Sequence, residues 1–311
     1  MKRKDRENPT WLLAMMADIP CSCRSEATGF IREGGVIETE AAIRLGVFFG
    51  GFASLAMAEI IAPRRRLASS KPRRWLANLT IVLLDTVLVR LLFAAGAVGA
   101  AMLAAKQEWG LLNQLPWPTG LEVVLSVITL DLSLYLQHVA FHAVPVLWRL
   151  HMVHHADLDV DVTTGVRFHP VEVVLSMAIK VTVVILMGAP ATAVLIFEIL
   201  LNVTSMFTHS NLRVPGVLES MFRSLLVTPD MHRIHHSIRR HETNSNFGFN
   251  LSWWDHLFGT YRAEPQDAQT LMVLGLEQFR DPKRLTLYRI LLMPFTESPG
   301  QYPLSHTSRK T

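Results

Sequence analysis

The sequence predicts an all-α protein: a multi-pass transmembrane helical bundle carrying a cytoplasmic, histidine-rich helical cap. Three observations carry that expectation. Apolar residues make up 50% of the 311 and the mean hydropathy is +0.27, more than a soluble chain of this length needs. These residues gather into stretches long enough to cross a bilayer. And of the 13 histidines, most fall in three clusters whose internal spacing is helical.

In chain order, residues 1–40 read as a poorly ordered or surface-bound extension. Trp11 to Ala17 is its only uninterrupted apolar run, at the lower limit for a signal-peptide core, and no convincing cleavage site follows. Cys21 and Cys23 are too few and too close together for a disulfide framework or a zinc site, and read as inert. The first span is expected from about Ile43 to Ala62. Arg64, Arg65, Arg66, Lys71, Arg73 and Arg74 follow at once, and the positive-inside rule makes such a loop cytoplasmic. A second span covers about Trp75 to Ala105, long enough to tilt or to include an interfacial turn. The loop with Trp109, Pro116, Trp117 and Pro118 belongs on the opposite side. A third span, about Leu121 to Val144, returns to the cytoplasmic side carrying Asp131, Tyr135, His138 and His142. Val173 to Phe207 is too long for one span and suits a hairpin of two, bent at Gly188-Ala-Pro190. Val217 to Val227 has the pattern of an interfacial amphipathic helix, and Leu285 to Phe295 is too short to span. The domain organisation expected is therefore 1–40 extension, 41–119 first spans, 120–262 histidine-bearing domain and 263–311 surface segment.

The net charge of +4 and the pI near 9.3 raise the question of nucleic acid. The basic residues, however, cluster beside apolar segments, where orientation in a bilayer accounts for them and no nucleic-acid partner is expected.

The clusters are His138-Val-Ala-Phe-His142, His151-Met-Val-His154-His155 and His232-Arg-Ile-His235-His236. On a helix turning about 100° per residue, His138 and His142 lie one turn apart. His154 and His155 fall about 60° and 40° to either side of His151, so one HxxHH can offer imidazoles to two neighbouring metal ions. At this histidine content about 0.02 such motifs are expected by chance, and the chain has two. His209 lies where the hairpin returns and is expected as a ninth ligand. His169, beside Pro170 and Glu172 at a helix start, is either a ligand or a helix-start residue. His241, His256 and His306 read as ordinary core or surface groups. Asp131, two turns before His138 on the same face, can receive a ligand's free N–H, or else pair with Arg90 across two helices.

These clusters come with a wider frame: Asp131 and Tyr135 before the first, Arg167-His169-Pro170 after the second, His209-Ser210-Asn211, Thr228-Pro229, Asn246-Phe247-Gly248, Trp254-Asp255 and Leu257-Phe258-Gly259-Thr260. Over residues 120 to 262 the set resembles the fatty acid hydroxylase / sterol desaturase superfamily. The resemblance implies an integral-membrane enzyme with a cytoplasm-facing dimetal site that uses O₂ and two electrons on a lipid C–H bond. It implies no catalytic group beyond the metal ligands, with Asp131, Asn246 and Asp255 around them, and it leaves the lipid unnamed.

Imidazoles suit iron, copper, nickel and zinc alike. Two irons with about four histidines each leave positions open for O₂, whereas a structural zinc closes with four ligands, so two iron ions are expected. Hydroxylation, desaturation and zinc-dependent hydrolysis with Glu242 or Asp157 as base all remain open. Metal transport is disfavoured because two of the clusters lie in polar segments. No electron-carrying domain is evident in the sequence, so a separate donor is expected, a ferredoxin or a cytochrome b5-type protein with its reductase.

Overall fold

The structure, a computed structural model, describes residues 21–305, with side chains from Ala41 onward. The basic residues at the amino terminus, the Trp11 to Ala17 run, the thiols of Cys21 and Cys23, and His306 lie outside what is described. Among the described residues every regular element is helical. Helix α1 spans Cys21–Ile61. The helix extends N-terminal of the expected span, whose start near Ile43 agrees with the candidate span Ala41–Ile61, because no proline interrupts it and Gly34-Gly35 alone does not stop it.

Five segments are long and apolar enough to cross a membrane: Ala41–Ile61, Lys71–Gln114, Thr119–Ala143, Pro170–Met187 and Ala191–Thr208. The second is not one rod. Helix α2 (Lys71–Leu92) stops, and α3 (Gly96–Lys106) restarts at a glycine, a weak helix former, so the expected run to Ala105 contains a turn. Helix α4 (Thr119–Ala143) is followed after the single residue Val144 by α5 (Pro145–His155), whose proline occupies the first turn, where its missing N–H costs nothing. The expected hairpin is α6 (Pro170–Met187) and α7 (Ala191–Thr208), with Gly188 left-handed at φ 72° and Pro190 preceding α7.

The two ends of the bundle differ. At one end the hairpin bend meets the loop after α3 so closely that a Cβ on Gly110 would lie 2.1 Å from the Gly188 nitrogen. At the other, the basic loop after α1 is tied to the histidine-bearing segments. Arg64 makes a bidentate contact with Asp230, Arg65 donates to the Met272 carbonyl, and Ala68 and Ser69 donate to Asp159. The tail joins the same end, since Leu304 N–H donates to the His142 carbonyl and Trp148 Nε1 to the Pro299 carbonyl. The loop arrangement expected from the charges is thus built into the contacts.

Apolar packing divides accordingly. Ala97, Ala101, Leu130, Val184 and Phe197 join α3, α4, α6 and α7. Trp148, Met152 and Val153 of α5 pack with Leu276, Phe279, Tyr302 and the buried face of the helix Leu287–Thr296. That helix is too short to span, as expected. The amphipathic segment after the hairpin is α8 (Gly216–Arg223), shorter than the run to Val227, with Val217, Leu218, Met221 and Phe222 exposed.

Behind the histidines lies a buried ionic group. Arg74, read from sequence as part of a cytoplasmic loop, is only 8% exposed and donates to Asp157 at 2.6 and 2.9 Å and to Asp161 at 2.9 Å. Asn78 and Thr164 also donate to Asp157. Burial alone would raise the Asp157 carboxyl, but Arg74 outweighs it and holds the group down to about 2. A carboxyl so depressed contributes stability above its ordinary value of 3.8 and loses it as the pH falls toward 2.

Two expectations follow. Replacing Arg74 by Met leaves two buried carboxylates uncompensated and should cost about 3–5 kcal/mol, read as a large drop in the thermal midpoint in detergent, whereas Arg73→Met should be nearly neutral. Cysteines placed at Ser70 and Gln266 should be labelled from the same side of a sealed vesicle and one at Gln107 from the other. Labelling of Ser70 and Gln266 from opposite sides would overturn the five-span count.

Candidate metal centre

Each cluster is delivered by an element whose start is fixed locally. Helix α9 (Pro229–His235) begins at Thr228, whose hydroxyl accepts from Met231 N–H, with Pro229 in the first turn. It carries His232 and His235, and His236 caps it. His138 and His142 ride the last turns of α4, and His151, His154 and His155 end α5. His209 caps α7 at the return of the hairpin.

These nine side chains are at most 2% exposed and form two groups. His138, His142, His151, His155 and His235 make one; His154, His209, His232 and His236 make the other; within each group the nitrogens offered lie within 4.8 Å of one another. Both HxxHH motifs are split, the second through His154 and the third through His235 against His232 and His236. Each motif thus contributes imidazoles to both groups.

Hydrogen bonds at the outer ring nitrogens set the tautomers. Nδ1 of His138 lies 2.7 Å from the Phe247 carbonyl, Nδ1 of His209 2.7 Å from that of Ser205, Nδ1 of His235 2.8 Å from that of Ser245, and Nδ1 of His154 3.1 Å from that of Arg167. A carbonyl only accepts, so each Nδ1 carries the proton and each Nε2 a bare lone pair. His151 Nδ1 meets Glu172 at 2.7 Å and His142 Nδ1 meets the Asn244 amide oxygen at 3.1 Å, with the same result. The bare nitrogens then face each other: His138 and His151 Nε2 are 3.1 Å apart, His154 and His209 3.0 Å. Neither member of such a pair can donate. Nε2 of His142, His155, His235 and His236 is buried without a partner. Converging lone pairs with outward N–H groups anchored to carbonyls and a carboxylate form the donor set of a metal site.

Burial, reinforced by neighbouring imidazoles, also keeps the rings neutral. It pulls His151 down to about 3 and His209 to about 4, and holds His154, His155, His232, His235 and His236 well below the usual imidazole range. At neutral pH the lone pairs are available without displacing a proton.

His169 stands outside both groups. Its Nδ1 accepts from Val171 N–H at the start of α6 while Nε2 lies 3.1 Å from the Leu291 carbonyl, so both nitrogens are used and it is a helix cap. Asp131 also departs from expectation. It contacts neither a ligand imidazole nor Arg90, but accepts from Asn250 Nδ2, Leu251 N–H and Trp254 Nε1. Asp255 accepts from Phe247 N–H, Gly248 N–H and Thr260, and Asn246, at φ 55°, donates to the Met231 and Arg262 carbonyls. All three hold the turn that presents the Phe247 carbonyl to His138. Asp131 therefore acts one step further out than anticipated, because the aromatic turn intervenes. Asp157 is bound by Arg74 at both oxygens and has no free carboxylate to act as a hydrolytic base, while Glu242 accepts from Gln266 N–H through one oxygen.

Sequence reading missed the role of Glu172. Its place in the first turn of α6 marked it as a helix-dipole partner, yet it is the only carboxylate on a ligand imidazole among the described residues. It also missed the close crossing of Gly165 and Ser205. A Cβ on Gly165 would lie 2.5 Å from the Ser205 oxygen, the acceptor for His209.

Residues 123–260 match the fatty acid hydroxylase family. The ornithine lipid hydroxylase of Rhizobium tropici is 33% identical over 155 residues, 50% of this chain and 46% of that one. The alkylglycerol monooxygenase of Homo sapiens is 28% identical over 155 residues, 49% of this chain and 33% of that one. Its counterpart in Xenopus tropicalis is 29% identical over 193 residues, 61% and 42%. The chain thus spans less than half the length of these relatives. No solved structure matches.

For metal content, His154→Ala or His209→Ala should lose one of two bound ions per chain while His169→Asn keeps both, by elemental analysis of the purified protein. Glu172→Ala should weaken binding about 10- to 100-fold, measured by competition with a chelator. Full retention of both ions in His154→Ala would contradict the grouping.

Proposed function

Since residues 123–260 match the fatty acid hydroxylase family, we infer that this chain is a membrane-bound di-iron oxygenase that hydroxylates a C–H bond of a lipid. The observation that carries this reading is the pair of buried imidazole groups whose lone pairs converge with their protons turned outward. His138, His142, His151, His155 and His235 would hold one iron; His154, His209, His232 and His236 the other. Bound there, the two irons supply the reductive activation of O₂.

The overall change is RH + O₂ + 2 e⁻ + 2 H⁺ → ROH + H₂O. The residues themselves exclude water from the site, since every ligand is buried, and Glu172 and the carbonyls of Phe247, Arg167, Ser205 and Ser245 orient the rings. The segments that can span a bilayer end beside the histidines, which suits a substrate whose tail arrives from the membrane. By the positive-inside rule, the basic loop favours the cytoplasmic side for this end. There it meets a separate two-electron donor, a ferredoxin or a cytochrome b5-type protein with its reductase. The lipid hydroxylase and monooxygenase names of the relatives favour hydroxylation over desaturation. Hydrolysis is disfavoured because Asp157, one of the two carboxylates suited to act as base, is already engaged at both oxygens.

Membranes containing the protein, its reductant and ¹⁸O₂ should yield a lipid 18 mass units heavier by one labelled oxygen, absent from a His154→Ala control. An unlabelled lipid two hydrogens lighter would replace hydroxylation by desaturation, and label taken only from water would restore the hydrolase.

A further inference from the structure

The basic loop after α1 is only partly consumed by internal contacts. Arg64 is paired with Asp230 and Arg74 is buried with Asp157 and Asp161. Arg65, Arg66, Lys71 and the exposed Arg73 remain, and the first three line an open cleft of about 680 Å³ together with Glu59 and Asn211. That volume is within the usual range of small-ligand sites.

The charges in the cleft are unbalanced. Arg65 gives Nη1 to the Met272 carbonyl, but its Nε is buried with no acceptor. Arg66 is exposed and has no ion-pair partner among the described residues. Lys71 Nζ is 3.8 Å from Glu59 Oε2, the outer limit of an ion pair, while the other Glu59 oxygen accepts from Val162 and Asn211 N–H. Glu59 is thus the one carboxylate lining the cleft for these three cations, with Asp159 acting on Arg65 from behind and the Trp75 ring beneath Lys71.

The position of the cleft narrows its ligand. The first candidate span ends at Ile61, and Ile60 and Ile61 are 67% and 76% exposed, as lipid-facing residues are. Pro63 and the three arginines follow immediately, at the depth where a headgroup lies. The inner wall includes Asn211, two residues beyond His209. A solvated orientation signal requires neither a cleft nor a buried unpaired Nε.

We propose that this cleft binds the oxyanionic headgroup, phosphate or carboxylate, of a bilayer lipid. Guanidinium groups match paired oxygens, and a positive cluster at the end of a span attracts anionic lipid. The assignment rests on the membrane reading of the helices and is independent of the metals.

The test is native mass spectrometry of the full chain in detergent, titrated with short-chain phosphatidylglycerol. Wild type should hold one tightly bound lipid, and Arg66→Gln/Lys71→Gln should hold it about ten-fold more weakly with metal content and thermal midpoint unchanged. Arg66→Lys/Lys71→Arg, which keeps both charges, should retain binding even if the neutral variant is unstable. Arg239→Gln/Arg284→Gln, basic residues elsewhere, should bind as wild type. His154→Ala should lose metal and keep the lipid, so a failure of the oxygenase reading registers separately. Unchanged binding in the neutral variant, or loss in the charge-keeping one, overturns the proposal. So does displacement by inorganic phosphate at the same concentration as the lipid, which would give the cleft to a soluble anion.

Discussion

Nine nitrogen lone pairs packed into a dry interior are the constraint on which the rest of this structure depends. Neutral imidazoles facing one another at about 3 Å repel unless something electrophilic lies between them, and the pairs His138–His151 and His154–His209 have no proton to share, because theirs are turned outward to carbonyls and to Glu172. A fold that simply buried these histidines would leave many polar atoms unsatisfied, at about 1–3 kcal/mol each. The arrangement is economical only with cations in place. It follows that metal binding and the stability of this end of the molecule are one equilibrium.

The scaffold meets that constraint with two different materials. Toward the bundle it uses apolar helices, whose ends deliver His138, His142 and His209. Away from it, buried polar contacts fix the loops: Arg74 with Asp157 and Asp161, Glu59 with Val162 and Asn211, Asp131 with Asn250 and Trp254, Asp255 with Phe247 and Gly248. None of these carboxylates touches an imidazole. They position backbone, and the backbone carbonyls position the rings. An all-imidazole inner layer brings no negative charge to the ions, which suits redox-active metals that keep positions open.

Much of this was legible in the sequence because it depends on periodicity. Five apolar stretches, the Gly188-Ala-Pro190 bend and the i, i+3, i+4 histidines each encode geometry locally, and so the spans, the hairpin and the sharing of each HxxHH between two groups could be read directly. His209 was found by the same logic of where the chain returns. What could not be read depends on contacts distant in sequence. Arg74 reads from sequence as one more charge of a cytoplasmic loop, because its partners are more than eighty residues away. Asp131 is on the face expected, but an aromatic turn from residues 247–254 stands between it and the ligands. Backbone carbonyls that hold the rings have no signature at all, since every residue carries one. His169 was ambiguous because a helix cap and a ligand draw on the same lone pair, and only the Leu291 contact decides between them.

Two irons bound by imidazole nitrogen, with nothing softer in the shell, are the proposed occupants of the two histidine groups. Iron X-ray absorption on protein loaded anaerobically distinguishes them from other arrangements. The expected spectrum has a first shell of nitrogen or oxygen scatterers with the outer-shell pattern of imidazole rings, and its signal halves when either group is disrupted. A sulfur shell, or a spectrum dominated by carboxylate with no imidazole pattern, would contradict it.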